Sequence, residues 1–172
     1  KNSVMAARAA EPLVTRRGEI RTFRLPGGGT ATLDTDSRIE FVEGGDARHL
    51  RLTRGLARLD FSDGTAAFQI EAGGSVVSGN RAELDISIAD GGAIVIRVLR
   101  GSARMASRSA TGAADIILPR PEPLRYRPAG GGAEREPMRT RELPTADWPT
   151  GWSEHRSVPL AALAREASPI DA

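Results

Sequence analysis

Apolar residues recur at every second position through most of this sequence, and that spacing restricts what the chain can fold into. Between residues 17 and about 126 they form short runs that are separated by glycine pairs or Asp-Gly. The clearest run is Ala82, Leu84, Ile86 and Ile88. Successive side chains of a β-strand point to opposite faces, so this spacing predicts strands. We expect an all-β fold of short, mostly antiparallel strands in a sandwich or a solenoid-like stack.

Three segments carry more specific predictions. The alternating segments around Phe23 and Ala31 flank the turn Pro26-Gly27-Gly28-Gly29, which predicts a β-hairpin. Residues 94–99 are apolar except for one arginine, which predicts a central strand that is covered on both faces. In the run at residues 82–88, the polar residues between the apolar ones are expected to face water.

Residues 52–59 resemble residues 98–105 around a shared Arg-Gly-x-Ala-Arg. At the shared Gly55 and Gly101 we expect a sharp bend between two strand segments, where a side chain would collide with its surroundings. Two such units would fit stacked layers of sheet.

The composition divides the chain into four parts. Residues 1–16 are an N-terminal flank, and residues 17–127 contain the alternating pattern of the β domain. Residues 128–147 are rich in glycine, proline and charge, which predicts a linker. Residues 148–172 form a C-terminal segment, in which residues 157–160, Ser-Val-Pro-Leu, predict the start of a short helix.

Charge and cysteine content argue against several classes of function. The chain has 24 basic and 22 acidic residues, a balance too even for a nucleic-acid-binding surface. Strand alternation also divides Arg51, Arg54 and Arg58 between surfaces, so these residues do not form a basic stripe. The absence of cysteine excludes disulfides and thiolate metal sites.

Few residues have the chemistry of an active site. His49 and His155 are the only histidines and are too far apart for a zinc site, so we interpret both as solvated surface residues. Asp34 and Asp36 lack the further ligands of a calcium loop, and turn capping explains them better. The run of residues 27–30 precedes a strand and lacks a phosphate-loop ending, which indicates a turn. We predict no catalytic, cofactor-binding or metal-binding residue.

Two tryptophans, Trp148 and Trp152, lie in the C-terminal segment. We expect them to dock this segment onto the sheet. The alternative is that they are anchors for contact with another protein.

The order of these motifs resembles the FecR family, the membrane-anchored regulators of extracytoplasmic-function sigma factors. The resemblance covers about four fifths of the chain. Its motifs are Gly18-Glu19-x-Arg21, Leu25-Pro26, Ala31-x-Leu33-Asp34-x-x-Ser37, Arg48-x-Leu50-x-Leu52, Gly55-x-Ala57, Phe68-x-Ile70, Val98-Leu99-x-Gly101, Leu124-Arg125-Tyr126 and the segment from Trp148 to Leu163. The sequence departs from the family pattern in the first turn, where Gly27 and Gly29 replace the usual Asp and Ser.

The resemblance implies a periplasmic sensing domain, the soluble part of an inner-membrane protein that regulates iron transport. Such a domain would bind the signalling domain of a TonB-dependent outer-membrane receptor. It would reach the sigma factor only through a cytoplasmic anti-sigma segment, which lies outside this chain together with the membrane helix. No enzymatic activity, cofactor or nucleic acid is implied. The alternatives are an envelope binding or scaffolding module without a sigma factor and, less favoured because no acid/base pair is visible, an enzyme.

Overall fold

A computed structural model describes residues 11–64, 66–107, 115–118, 123–129, 132–136 and 148. Within these ranges almost all regular structure is β-strand, which confirms the predicted fold class. The strands are β1 (Leu13–Val14), β2 (Arg21–Arg24), β3 (Thr30–Leu33), β4 (Arg38–Phe41), β5 (His49–Arg54), β6 (Leu56–Asp60), β7 (Phe68–Ala72), β8 (Ser75–Gly79), β9 (Ala82–Ile88), β10 (Ile94–Gly101), β11 (Arg104–Ser107), β12 (Asp115–Ile117), β13 (Leu124–Ala129) and β14 (Gly132–Glu136). The predicted helix at residues 157–160 and most of the predicted N-terminal flank lie outside the described residues.

The strands form two seven-stranded sheets. The first sheet has the order β1-β4-β5-β7-β8-β11-β12, and the second has the order β14-β13-β10-β9-β6-β3-β2. Neighbouring strands are antiparallel except for β5 and β7, which pair in parallel. The hairpin of β2 and β3 confirms the prediction for the first turn.

Apolar side chains from both sheets pack into one core, so the sheets form a sandwich. Aliphatic residues dominate it, as expected for a chain with 4% aromatic residues. Where the chain passes from β6 in the second sheet to β7 in the first, Phe61 and Phe68 stack with their ring centroids 4.4 Å apart. This ring pair ties one end of the two sheets together.

The nearly continuous apolar run forms β10, between β9 and β13 in the second sheet. Its side chains are buried from Ile94 to Val98, which confirms the prediction of a strand covered on both faces. The prediction of a wet face on β9 is wrong. Asp85 is fully buried and Ser87 is 5% exposed, although both lie on the face opposite the core.

Gly55 and Gly101 lie at crossings between the two sheets. Gly55 separates β5 of the first sheet from β6 of the second, and Gly101 ends β10 before the chain returns to the first sheet as β11. Both have positive φ angles, of 83° and 71°. A Cβ at Gly55 would lie 2.1 Å from Ser37 Oγ, and one at Gly101 would lie 1.8 Å from the backbone oxygen of Arg81. The shared motif therefore marks two sharp bends, as the sequence predicts.

The second sheet continues past the predicted end of the β domain. Strand β14 pairs antiparallel with β13, from Arg125 opposite Glu136 to Ala129 opposite Gly132. The structure thus places a strand inside the range that composition predicts to be a linker.

Candidate functional site

His49 lies at the start of β5, where it is half-buried and paired with a carboxylate. Its Nε2 is 2.9 Å from Glu71 Oε1, and Arg51 Nη2 donates to Oε2 of the same carboxylate at 2.8 Å. The parallel pairing of β5 with β7 places Arg51 directly opposite Glu71. The interpretation of His49 as a solvated surface residue is therefore wrong, because alternation along one strand does not reveal a carboxylate on a neighbouring parallel strand. His155 lies outside the described residues.

Asp34 and Asp36 lie in the turn between β3 and β4. Asp36 has a φ angle of 49°, and its Oδ1 is 3.1 Å from Arg54 Nη2. The backbone N–H of Asp34 donates to Leu56 O at 2.9 Å. Asp34 follows β3 of the second sheet, whereas His49 begins β5 of the first.

Arg48 joins two turns that belong to different strand connections. Its Nε donates to Gly27 O at 2.6 Å, and its Nη1 donates to Ala66 O at 2.7 Å. The guanidinium also lies 5.7 Å from the ring centroid of Phe61, and the residue is only 6% exposed. A Cβ at Gly64 would lie 2.0 Å from Arg48 Nη2. Arg48 therefore fixes how these turns approach each other.

The stem of Arg48 packs closely on the first turn. A Cβ at Gly27 would lie 2.7 Å from Arg48 Cγ. Glycine at this position leaves room for the arginine stem. The sequence gives only a weak signal for this role, an arginine directly before the strand pattern of β5.

The outer face of the second sheet carries a buried ionic cluster centred on Asp85. Arg58 binds this carboxylate with two hydrogen bonds, from Nε to Oδ1 at 2.7 Å and from Nη2 to Oδ2 at 2.9 Å. Arg97 Nη2 donates to Oδ2 at 2.7 Å. The strand register places both arginines directly opposite Asp85, on β6 and β10. We call Arg58, Asp85 and Arg97 the Asp85 cluster.

Trp148 packs over the Asp85 cluster. It is 1% exposed, and the Cζ atom of Arg58 lies 5.5 Å from the centroid of its ring system. Arg125 on β13 is also buried, at 2% exposure. This burial confirms that Trp148 docks on the sheet and shows why the face predicted to be wet is covered. Trp152 lies outside the described residues.

The charged side chains of His49, Glu71, Arg48 and the Asp85 cluster form hydrogen bonds within the fold. They therefore hold strands and turns in place. In the part of the chain that the structure describes, no three His, Cys, Asp or Glu side chains gather as metal ligands. Among the same residues no helix has the length and apolar character to cross a membrane.

Comparisons with known proteins agree with this architecture. The family model described as FecR protein matches residues 11–104. Two crystal structures of a proposed anti-sigma factor from Parabacteroides distasonis, at 1.65 Å and 2.50 Å resolution, have a similar fold, with TM-scores of 0.57 and 0.56. Their sequence identities to this chain are 14% and 13%. No curated protein sequence matches the chain.

The matches differ in extent. The structural likeness covers 74% and 73% of this chain, but this chain spans only 59% of each of those structures. The family match runs from β1 through β10, and it includes Arg48, the Asp85 cluster and both crossing glycines. It ends before Trp148, which covers the cluster from outside the matched range. Because the family model covers more than half of its residues, this chain belongs to the FecR family of regulatory proteins.

Proposed function

We propose that this chain is the periplasmic sensing part of a FecR-like transmembrane regulator. It binds the signalling domain of a TonB-dependent outer-membrane receptor and relays that signal to an extracytoplasmic-function sigma factor. The sigma factor is reached through an anti-sigma segment of the same regulator on the other side of the inner membrane.

The observation that carries this proposal is the FecR match over residues 11–104. A second support is the fold shared with a proposed anti-sigma factor. The sensing role fits a domain in which the buried Asp85 and Arg48 side chains are held by hydrogen bonds, since such a domain offers a rigid surface to a partner.

We propose that the domain acts by binding and carries out no catalysis. The buried carboxylate of Asp85 is held by Arg58 and Arg97, and the carboxylate of Glu71 is held by His49 and Arg51. A general acid or base needs a carboxylate or imidazole that can reach a substrate proton. These groups instead form hydrogen bonds within the fold.

The packing of Trp148 on Arg58 physically couples the C-terminal segment to the β domain. The ring packs on Arg58, which is held by Asp85 on the next strand. A partner that displaces the segment has to remove Trp148 from this cluster. The β domain and the segment are therefore expected to respond to a partner as one unit.

A pull-down with receptor signalling domains tests the proposal. The full chain is immobilised, and the N-terminal signalling domain of each TonB-dependent receptor of the same genome is offered to it. We expect at least one domain to be retained. The matched control is Ile96→Asp, which places a carboxylate in the core of β10 and unfolds the β domain. Retention of none of the domains by the folded chain contradicts the proposed role.

The gene sequence upstream of this chain separates the proposal from its alternative. A single membrane span preceded by a cytoplasmic segment is expected for the regulator. A cleaved signal peptide in that place favours an envelope binding or scaffolding module without a sigma factor.

A further inference from the structure

The β2 edge of the second sheet is open to solvent. Among the residues that the structure describes, strand β2 is the last strand of its sheet and pairs only with β3. The backbone N–H of Leu25 donates to Gly29 O at the turn, so alternation directs the backbone groups of Phe23 and Arg21 toward β3. The N–H and C=O groups of Thr22 and Arg24 then point away from the sheet, where they can pair with an added strand.

Four exposed arginines surround this edge. They lie on β2 and on the connection from β1, with Glu19 as the acidic residue among them. The arginines are Arg16, Arg17, Arg21 and Arg24. None of the four forms an ion pair within the part of the chain that the structure describes. Glu19 accepts a hydrogen bond from the backbone N–H of Arg16 at 2.9 Å. The edge is therefore strongly basic, although the whole chain has a formal charge of only +2.

The side chains of β2 alternate between two environments. Phe23 lies opposite the fully buried Ala31 and is partly buried against the core. Arg21 shares this face, with its Cζ 5.0 Å from the centroid of the Phe23 ring. On the other face, Thr22 Oγ1 lies 2.8 Å from Thr32 Oγ1. Arg24 shares that outer face.

A depression of about 580 Å³ continues this basic surface from β2 toward β1. It is lined by Arg16, Arg17, Arg21, Gly18, Glu19 and the 37% exposed Val14. An incoming strand can thus meet both an apolar contact and several guanidinium groups at one edge.

We propose that the β2 edge binds an extended acidic segment of a partner protein as an additional antiparallel strand. Backbone hydrogen bonds to Thr22 and Arg24 supply the pairing, and carboxylates opposite Arg21 and Arg24 supply the selectivity. A second copy of this chain is a poor occupant. Antiparallel pairing of β2 with β2 would bring two strongly basic edges together, and like charges close to each other across strands are destabilising.

The required pattern of the partner follows from the alternation of β2. Opposite Arg24, Phe23, Thr22 and Arg21, an antiparallel strand best carries an acidic, an apolar, a small polar and an acidic residue. The inference is independent of the proposed sensing function, because it depends only on the geometry and charge of one edge.

A synthetic peptide with the sequence Thr-Glu-Val-Thr-Glu-Thr, capped at both ends, tests the proposal on the full chain. Backbone amide chemical shifts are followed by NMR during titration. We expect saturable binding, with the largest shift changes at residues 21–25. A peptide with lysine in place of both glutamates is expected to bind at least about tenfold more weakly.

Two further measurements separate strand addition from general charge attraction. N-methylation of the peptide amides that face β2 removes the backbone donors but keeps both carboxylates, and it is expected to weaken binding at least about tenfold. Arg24→Glu is expected to weaken binding as strongly. Arg104→Glu, which makes the same charge change at an exposed position of β11, is expected to leave it unchanged.

The proposal is overturned if the acidic peptide fails to bind at millimolar concentration. Equal binding of the methylated and unmethylated peptides also overturns it, because the attraction is then electrostatic without strand pairing. If Arg24→Glu and Arg104→Glu change peptide binding equally, the peptide does not bind at the β2 edge, and the proposal is overturned as well. None of these outcomes depends on the receptor pull-down, so the two proposals can fail separately.

Discussion

Asp85 and Arg48 are buried charged residues that are stabilised in different ways. Asp85 accepts hydrogen bonds from two arginines on its neighbouring strands. Arg48 donates to two backbone carbonyls in turns, so its charge is balanced by peptide dipoles. Removal of the Asp85 carboxylate takes a charged acceptor from two arginines, and removal of the Arg48 guanidinium takes a charged donor from two carbonyls, so either change is expected to destabilise the fold.

Asp85→Ala is expected to lower the free energy of unfolding by about 3–5 kcal/mol, because it removes the fully buried carboxylate to which Arg58 and Arg97 both donate hydrogen bonds. Urea denaturation with linear extrapolation measures the loss. Glu83→Ala on the same strand is the control. Its partner Arg100 is 76% exposed, so we expect a loss below about 1 kcal/mol. Similar losses for the two variants would contradict the role of the Asp85 cluster.

Arg48→Ala is expected to lower the free energy of unfolding by about 3 kcal/mol, because two carbonyls lose a charged donor. Arg48→Lys is expected to restore at most about half of this, since one ammonium group does not reproduce the fork of a guanidinium. The control is Arg54→Ala, which breaks an ion pair that is about half exposed and should cost below about 1 kcal/mol. Full rescue by lysine would show that Arg48 does not join the two turns.

Structural elements that depend on nearby residues can be predicted from the sequence. Pairings between strands that are distant in the sequence cannot. The hairpin around residues 26–29 follows from its glycine turn and flanking alternation. The bends at Gly55 and Gly101 follow from the repeated motif. The parallel pairing of β5 with β7 joins strands across two sheet crossings, so no local pattern reveals that Glu71 meets His49.

Gly101→Ala tests the crossing from β10 to β11. The substitution should cost about 3 kcal/mol or more, because the φ angle is positive and the new Cβ would meet the backbone oxygen of Arg81. Gly18→Ala is the matched control. Its φ angle of 80° is similar, but no atom lies within 4 Å, so we expect a loss of about 1 kcal/mol. Thermal and urea unfolding measure both variants, and equal losses would mean that the crossing tolerates a side chain.

In the whole molecule, Trp148 is part of the folded β domain, because its ring is buried and packs on Arg58. Strand alternation on β9 places Asp85 on the face opposite the core, and the structure buries this side chain within the cluster on which Trp148 packs. The sequence predicts that a tryptophan docks, but it does not identify the surface that receives it. Trp148 lies 63 positions after Asp85 in the sequence, beyond the range that composition predicts to be a linker, and it packs on Arg58 of the cluster.

Trp148→Ala is expected to destabilise the whole chain by about 3–5 kcal/mol, because it uncovers the Asp85 cluster and removes a large buried side chain. Ile117→Ala is the control, since Ile117 is 68% exposed and its truncation should change stability by less than about 0.5 kcal/mol. Urea denaturation of the full chain compares the two variants. A loss for Trp148→Ala as small as that for Ile117→Ala would mean that the segment does not stabilise the β domain.

Transcription in the native bacterium tests whether the proposed relay operates. A reporter is placed under the sigma factor that the regulator is proposed to control, and the codons for residues 17–127 are deleted from the chromosomal gene. In the deletion strain we expect that the receptor's inducer no longer changes reporter output, while the unmodified strain responds. An unchanged response to the inducer in the deletion strain would contradict it.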